Sequence, residues 1–198
     1  MLADGLHDIP KGKVAVVVTH LEMHAPAPSR PVPTPNGVTL RKVQPNLTWY
    51  RDTFTRVGAL DWLWYGRLKM ADDELNAILN DPKVAFYTLT RNGQDEALLE
   101  LDFREDGQCE LAYFGLTSDL IGTGSGRFLM NEAIQLAWAQ PIARFHVHTC
   151  TIDSDQALSF YLRSGFTPYR RQVEIDDDPR LIGLLPETAA PHVPLIRP

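Results

Sequence analysis

The chain has 198 residues, 44% hydrophobic and 22% charged, enough for one globular domain with a buried core and too few for two large ones. A formal net charge of −6 argues against a nucleic-acid binder, which needs a basic stripe, and favours attraction of cations such as amines. Two cysteines, Cys109 and Cys150, exclude a disulfide framework or structural zinc site and are read as reduced thiols, and no apolar run is long enough to span a bilayer. The chain is therefore expected to be soluble and cytoplasmic, away from membranes.

In chain order, Val14 to Val18 is a β-branched run that suits a buried strand, followed by five prolines between Pro26 and Pro35. Residues 1–37 are read as a separate strand and tether, 38–175 as the compact domain and 176–198 as a proline-rich tail that can lie across the core. Helical spacing covers Leu47 to Val57 and Ala71 to Asn80, the second with Asp72, Asp73 and Glu74 in its first turn. Three strands follow, Lys83 to Thr90, Glu96 to Phe103 and Gln108 to Leu116. The Asn92-Gly93 and Asp106-Gly107 turns make them antiparallel neighbours. A helix ends before Pro141, Ala143 to Cys150 is a strand, and Asp153 is positioned to cap a helix that stops at Gly165. Phe166 to Ile175 is extended. From Val38 the order is β-α-α-β-β-β-α-β-α-β.

Gly122, Thr123, Gly124, Ser125 and Gly126 lie between a strand and a helix, where unpaired N–H groups and the helix dipole favour an anion. The Rossmann spacing fails because the sixth residue from Gly122 is Arg127, and the Walker pattern fails for want of Gly-Lys-Ser/Thr. What survives is a backbone-lined phosphate site with Arg127 beside it.

Leu116 to Met130 resembles the acetyl-CoA signature of the GNAT superfamily of N-acyltransferases, Arg/Gln-x-x-Gly-x-Gly/Ala, with Gly124 and Gly126 at the two small positions. Ser154 to Phe166, containing Ala157, Phe160, Tyr161 and Gly165, is similar to the family's second motif. The chain departs from the pattern at Ile121, in place of Arg or Gln, and at Ser154, in place of Asn. The resemblance covers about Val38 to Ile175 and implies an α/β GNAT-like fold, with a mixed, mostly antiparallel sheet flanked by helices.

It also implies transfer of an acetyl or short acyl group from acetyl-CoA to a primary amine of a small molecule or peptide, without a metal. The cosubstrate would be held by Leu116, Ser118, Gly122, Thr123, Gly124, Ser125, Gly126, Arg127 and Ser154. Direct attack needs a neutral amine, whose ammonium has a pKa of about 10.4, so a base is required. Glu110, on the strand entering the site, is the first candidate, ahead of Glu100 and Asp102 on the preceding strand. Tyr161 would protonate the leaving thiolate. Trp62, Trp64, Tyr65, Glu100 and His148 are candidates for the acceptor pocket.

His146, His148 and Cys150 alternate along one strand, but its outer residues are some 13 Å apart, too far to share an ion. His148 is read instead as pocket lining or a proton relay. The alternative to an enzyme is a noncatalytic acyl-CoA-binding sensor, and a nucleotide-binding fold is a third reading. A homodimer is possible through the Val14 strand and its tether.

Overall fold

The computed structural model describes residues 3–198. The elements are β1 (Lys13–Met23), β2 (Val38–Val43), α1 (Leu47–Phe54), α2 (Leu60–Trp62), α3 (Gly66–Lys69), α4 (Asp72–Leu79), β3 (Val84–Arg91), β4 (Gln94–Asp95), β5 (Ala97–Asp102), β6 (Gln108–Leu116), α5 (Ser125–Trp138), β7 (Arg144–Cys150), α6 (Ala157–Arg163) and β8 (Thr167–Asp177). They form one sheet in the order β2-β3-β5-β6-β7-β1-β8, with the two-residue β4 added to β3. Every recorded pairing is antiparallel except β6 with β7.

Local chemistry sets most element ends. Asn46 caps α1 by accepting the Trp49 N–H at 2.9 Å, and the Glu74 carboxylate accepts the Ala71 N–H at 3.1 Å before α4. Asn92 and Gly93 both have positive φ, 52° and 79°, as a tight turn between twisted strands requires. Gly165 has φ 100° just beyond α6, the left-handed position expected of it. Asp153 does not cap α6. Its carboxylate instead accepts from Thr149 Oγ1 at 2.6 Å, the Cys150 N–H at 2.8 Å and Trp64 Nε1 at 3.0 Å, tying the end of β7 to the loop after α2.

The expectation that residues 1–37 stand apart from the compact unit is corrected. β1 lies inside the sheet between β7 and β8, pairing Val18 with Cys150 and Lys13 with Asp177. Val14, Val16 and Val18 enter the core on one face. β8 pairs with the rest of the sheet through β1 alone, so removing β1 would detach it. The proline segment then crosses the α5/α6 side, with Arg30 bonded to Asn131 and Arg163, to reach β2 at the far edge.

The core has two halves, one on each face of the sheet. One packs α1, α4, the β1 valines and the tail residues Leu185, Ala189, Ala190 and Val193. The other packs α5 and α6 against Leu99, Leu101, Leu111 and Phe145. The tail does lie across the core. It is organised by buried Arg180, which donates to Asp178 and to the carbonyls of Ala189 and Val193. Among the described residues no helix is long and apolar enough to cross a membrane.

Candidate active site

β6 and β7 are paired only at their beginnings, from Gln108–Arg144 to Glu110–His146, and diverge beyond Glu110. On its other side, the β5–β6 register shifts between Glu100 and Leu101, leaving Ala112 as the extra residue of a bulge. A bulge bends and twists its strand, which turns Ala112 to Leu116 away from β7. The wedge between them opens into a cleft of about 450 Å³, lined from β6, β7, β1, α6 and the loop after α2.

At one end lies the glycine loop. Gly122 and Gly124 have φ 79° and 89°, a conformation that side-chain-bearing residues rarely adopt. Phe128 is the first residue of α5 to bond back in helical fashion, to the Gly124 carbonyl at 3.0 Å. The N–H groups of Gly126 and Arg127 ahead of it find no backbone acceptor in the helix, which leaves donors for an anion. Arg127 reaches Ser164 Oγ at 2.9 Å and stacks over Phe160 at 4.7 Å. Burial, with smaller contributions from Arg30 and Arg163 nearby, pushes its guanidinium pKa down.

The other end is aromatic. Trp64 packs against Phe54 and Tyr113, with ring centroids 5.6 and 5.3 Å away. Its indole occupies space that a Cβ at Gly58 would overlap, and a Cβ at Gly115 would sit 2.8 Å from it. Trp62 and Tyr65 complete the wall, with Glu174 and Asp176 of β8 at its rim.

No protein-family model matches this sequence, and no curated protein matches it. Solved structures do. A GCN5-related N-acetyltransferase from Sphaerobacter thermophilus superposes with TM-score 0.61 at 14% identity, covering 85% of this chain and 53% of its own. One from Kribbella flavida gives 0.56 at 19%, covering 85% and 60%. An aminoglycoside acetyltransferase from an uncultured soil metagenomic sample, in complex with sisomicin, gives 0.53 at 13%, covering 65% and 88%.

The fold is the GNAT fold. The chain spans between half and two thirds of the two longer relatives named. The GNAT architecture expected from the sequence is the one observed, with an open, mostly antiparallel sheet flanked by helices.

Within this GNAT fold, Leu116, Gly122, Gly124, Gly126, Arg127, Ser154, Tyr161, Trp62, Trp64, Tyr65 and His148 all line the one cleft. Four expected cosubstrate or acceptor residues do not line it. Ser118 is exposed in a 3₁₀ turn after β6 ends. Thr123 and Ser125 turn their hydroxyls toward each other, 2.8 Å apart, to close the loop, and Ser125 is buried. Glu100 is also fully buried, held by an ion pair with Arg67 and a 2.5 Å hydrogen bond from the Tyr50 hydroxyl. It is a core anchor, and its alternation with Asp102 concealed this because both faces of β5 are covered. Asp102 is held by Arg104 at 2.6 Å.

Glu110 stands beside the cleft, in a smaller hollow with Asp102, Arg104, Glu105 and His146. Its side chain is 35% exposed and reaches across to His148, which is 50% exposed and does line the cleft. The Glu110 carboxylate, 3.4 Å from the imidazole, raises the His148 pKa from its ordinary value, and the imidazole lowers that of Glu110. Burial pushes the Tyr161 phenol pKa up from its ordinary value. Cys109 and Cys150 are both free and belong to opposite faces of the sheet. Burial lifts the Cys150 thiol to about 12.

Residues of β1 and β8 in the lining, including Val16, Val18 and Glu174, escaped the sequence reading. Their only sequence signal is alternation, which marks a half-buried strand without saying what it faces.

Proposed function

We propose that this chain is an N-acyltransferase that moves an acetyl or other short acyl group from its CoA thioester to the primary amine of a small molecule. The observation that carries the reading is the divergence of β6 from β7 with the glycine loop at the mouth of the same cleft. β6 beyond Glu110 has no strand on its β7 side, so its main-chain groups are available to an extended amide-bearing arm, as an added strand would be held. The Gly126 and Arg127 N–H groups would receive the pyrophosphate, with Arg127 adding a full charge. Hydrogen bonds to charged groups contribute on the order of 1.5–3 kcal/mol each. Ile121, exposed at the mouth, offers no polar side chain, so in this reading the backbone and Arg127 carry the anion.

The chemistry follows from the other end of the cleft. A basic amine arrives protonated and must lose its proton before attack. His148, poised by Glu110, takes that proton first, and the neutral nitrogen then bonds to the thioester carbonyl carbon and releases its second proton to solvent. As the carbon–sulfur bond breaks, Tyr161 gives its phenolic proton to the thiolate, and both groups are reset from solvent. Trp62, Trp64 and Tyr65 would hold the acceptor body, and the Glu174 carboxylate at its rim favours a cation. The aminoglycoside acetyltransferase neighbour in complex with sisomicin supports a small-molecule acceptor.

The test is thermal stabilisation by acetyl-CoA compared with ATP and NAD, followed by thiol release with a panel of amines. Stabilisation by acetyl-CoA alone together with amine-dependent thiol release supports the proposal. Tight binding with no release by any acceptor points to the sensor, and stabilisation by ATP or NAD alone overturns the CoA assignment.

A further inference from the structure

β8 ends the sheet with an open edge. Thr167 to Ile175 are all exposed, and Val173 and Ile175 remain 50% and 51% exposed. An 11-residue strand with an open hydrogen-bonding edge is a template for another strand. The direction of its main chain can be read from β1. The Val17 N–H donates to Thr151 Oγ1 at 3.1 Å, on the β7 side, so Val17 and Val173 form a non-hydrogen-bonded pair in the β1–β8 ladder. The N–H and C=O groups of Val173, and by alternation those of Arg171 and Ile175, therefore point outward.

Charge along this edge changes sign across Gln172, with Arg170 and Arg171 before it and Glu174 after it, Arg170 and Glu174 being equidistant from it. None of the three makes an ion pair among the described residues, whereas nearby Asp176 and Asp177 are held by Lys69 at 2.8 Å and Lys13 at 2.6 Å. We propose that the free edge of β8 pairs antiparallel with β8 of a second copy of this chain, about a two-fold axis at Gln172. In that register Arg171 and Val173 of the two copies face each other and exchange their outward N–H and C=O groups. Arg170 of each copy lies opposite Glu174 of the other, in non-hydrogen-bonded pairs whose Cβ atoms come about 4.5–5.5 Å apart.

Neighbouring two-folds serve less well. An axis at Arg171 sets that residue against itself. An axis at Val173 sends Arg170 to Asp176, already held by Lys69, and leaves Glu174 facing Gln172. Shifts to an axis between residues would bring outward main-chain groups against inward ones. A two-fold contact of one edge with itself is closed, so it limits the assembly to two chains and hides the edge from further addition.

Light scattering on the purified chain decides the proposal. The expected mass is twice the 22.3 kDa of the chain. Arg170→Glu and Glu174→Arg each set like charges opposite one another twice, by symmetry, and should raise the dimer dissociation constant at least about tenfold. The double variant, with signs exchanged, should recover dimerisation, while melting curves verify that all three variants fold. A monomeric parent chain overturns the proposal, as do single variants that dimerise unchanged or a double variant that stays dissociated.

Discussion

Glu110 Oε1 lies 3.4 Å from Nδ1 of His148, across the point where β6 and β7 part. The pair joins a carboxylate outside the main cleft to an imidazole inside it, and each group favours the charged form of the other. His148 also faces Asp153 and Glu174, which favour its charge, while His20 on β1 and His146 on its own strand oppose it. If neutral His148 accepts the amine proton, kcat/KM rises with pH through the raised imidazole pKa. Glu110→Gln removes the main group holding that pKa up, so the acidic limb should move to lower pH while activity falls. His148→Gln should abolish the limb. A limb unmoved by Glu110→Gln removes the pair from the mechanism.

Tyr161 has a buried phenol, edge-on to Phe166 at 5.9 Å, and its hydroxyl makes no hydrogen bond among the described residues. Tyr161→Phe keeps the ring packing and deletes only the proton donor. The expected result is a fall in kcat of about 100-fold or more with little change in KM for the thioester, measured by thiol release. Unchanged kcat would reduce the residue to a packing role.

Arg127→Ala should weaken acetyl-CoA binding by roughly tenfold, consistent with loss of one charge-assisted contact. Calorimetric titration should show the same variant binding dephosphorylated pantetheine fragments almost as the parent does. Equal loss for both ligands would place Arg127 elsewhere in the site.

Arg67→Met should destabilise the chain by about 3–5 kcal/mol at neutral pH, because it leaves Glu100 charged and unpaired in the core. Burial already raises the Glu100 pKa in the folded protein. A raised carboxylate pKa means that the folded state gains relative stability as pH falls through it, since the buried charge is then neutralised. The destabilisation should therefore shrink toward acid pH in denaturant titrations. A penalty constant across pH would mean that Glu100 is not the group left behind.

Gly58→Ala should cost about 1–3 kcal/mol, because its Cβ and the Trp64 indole would claim one space. The same change should raise KM for the amine more than KM for the thioester, since Trp64 belongs to the aromatic end of the cleft. Equal shifts in both would detach Trp64 from the acceptor pocket.

The glycine loop, the hairpin strands and the Gly165 stop were legible because each depends on local chemistry: positive φ, a missing side chain, or an apolar face of known period. Glu100 was not. Two carboxylates spaced by two look solvated until both faces of the strand are seen to be covered, and only the fold brings Arg67 and Tyr50 to one of them. Asp153 was misread for the same reason, since a carboxylate before a helix suits a cap, but Trp64 and the end of β7 reach it first.

The sequence by itself determined the local elements, the phosphate-shaped loop, and the resemblance that connected loop and second motif to CoA chemistry. Only the tertiary structure decided that β1 belongs inside the sheet, that Glu110 lies beside His148, and that β8 is left with an open edge. Pairings such as Lys13 with Asp177 join residues from the two ends of the chain. No local propensity encodes such a contact, because its free energy comes from burying faces and satisfying main-chain groups that meet only when the whole sheet has assembled.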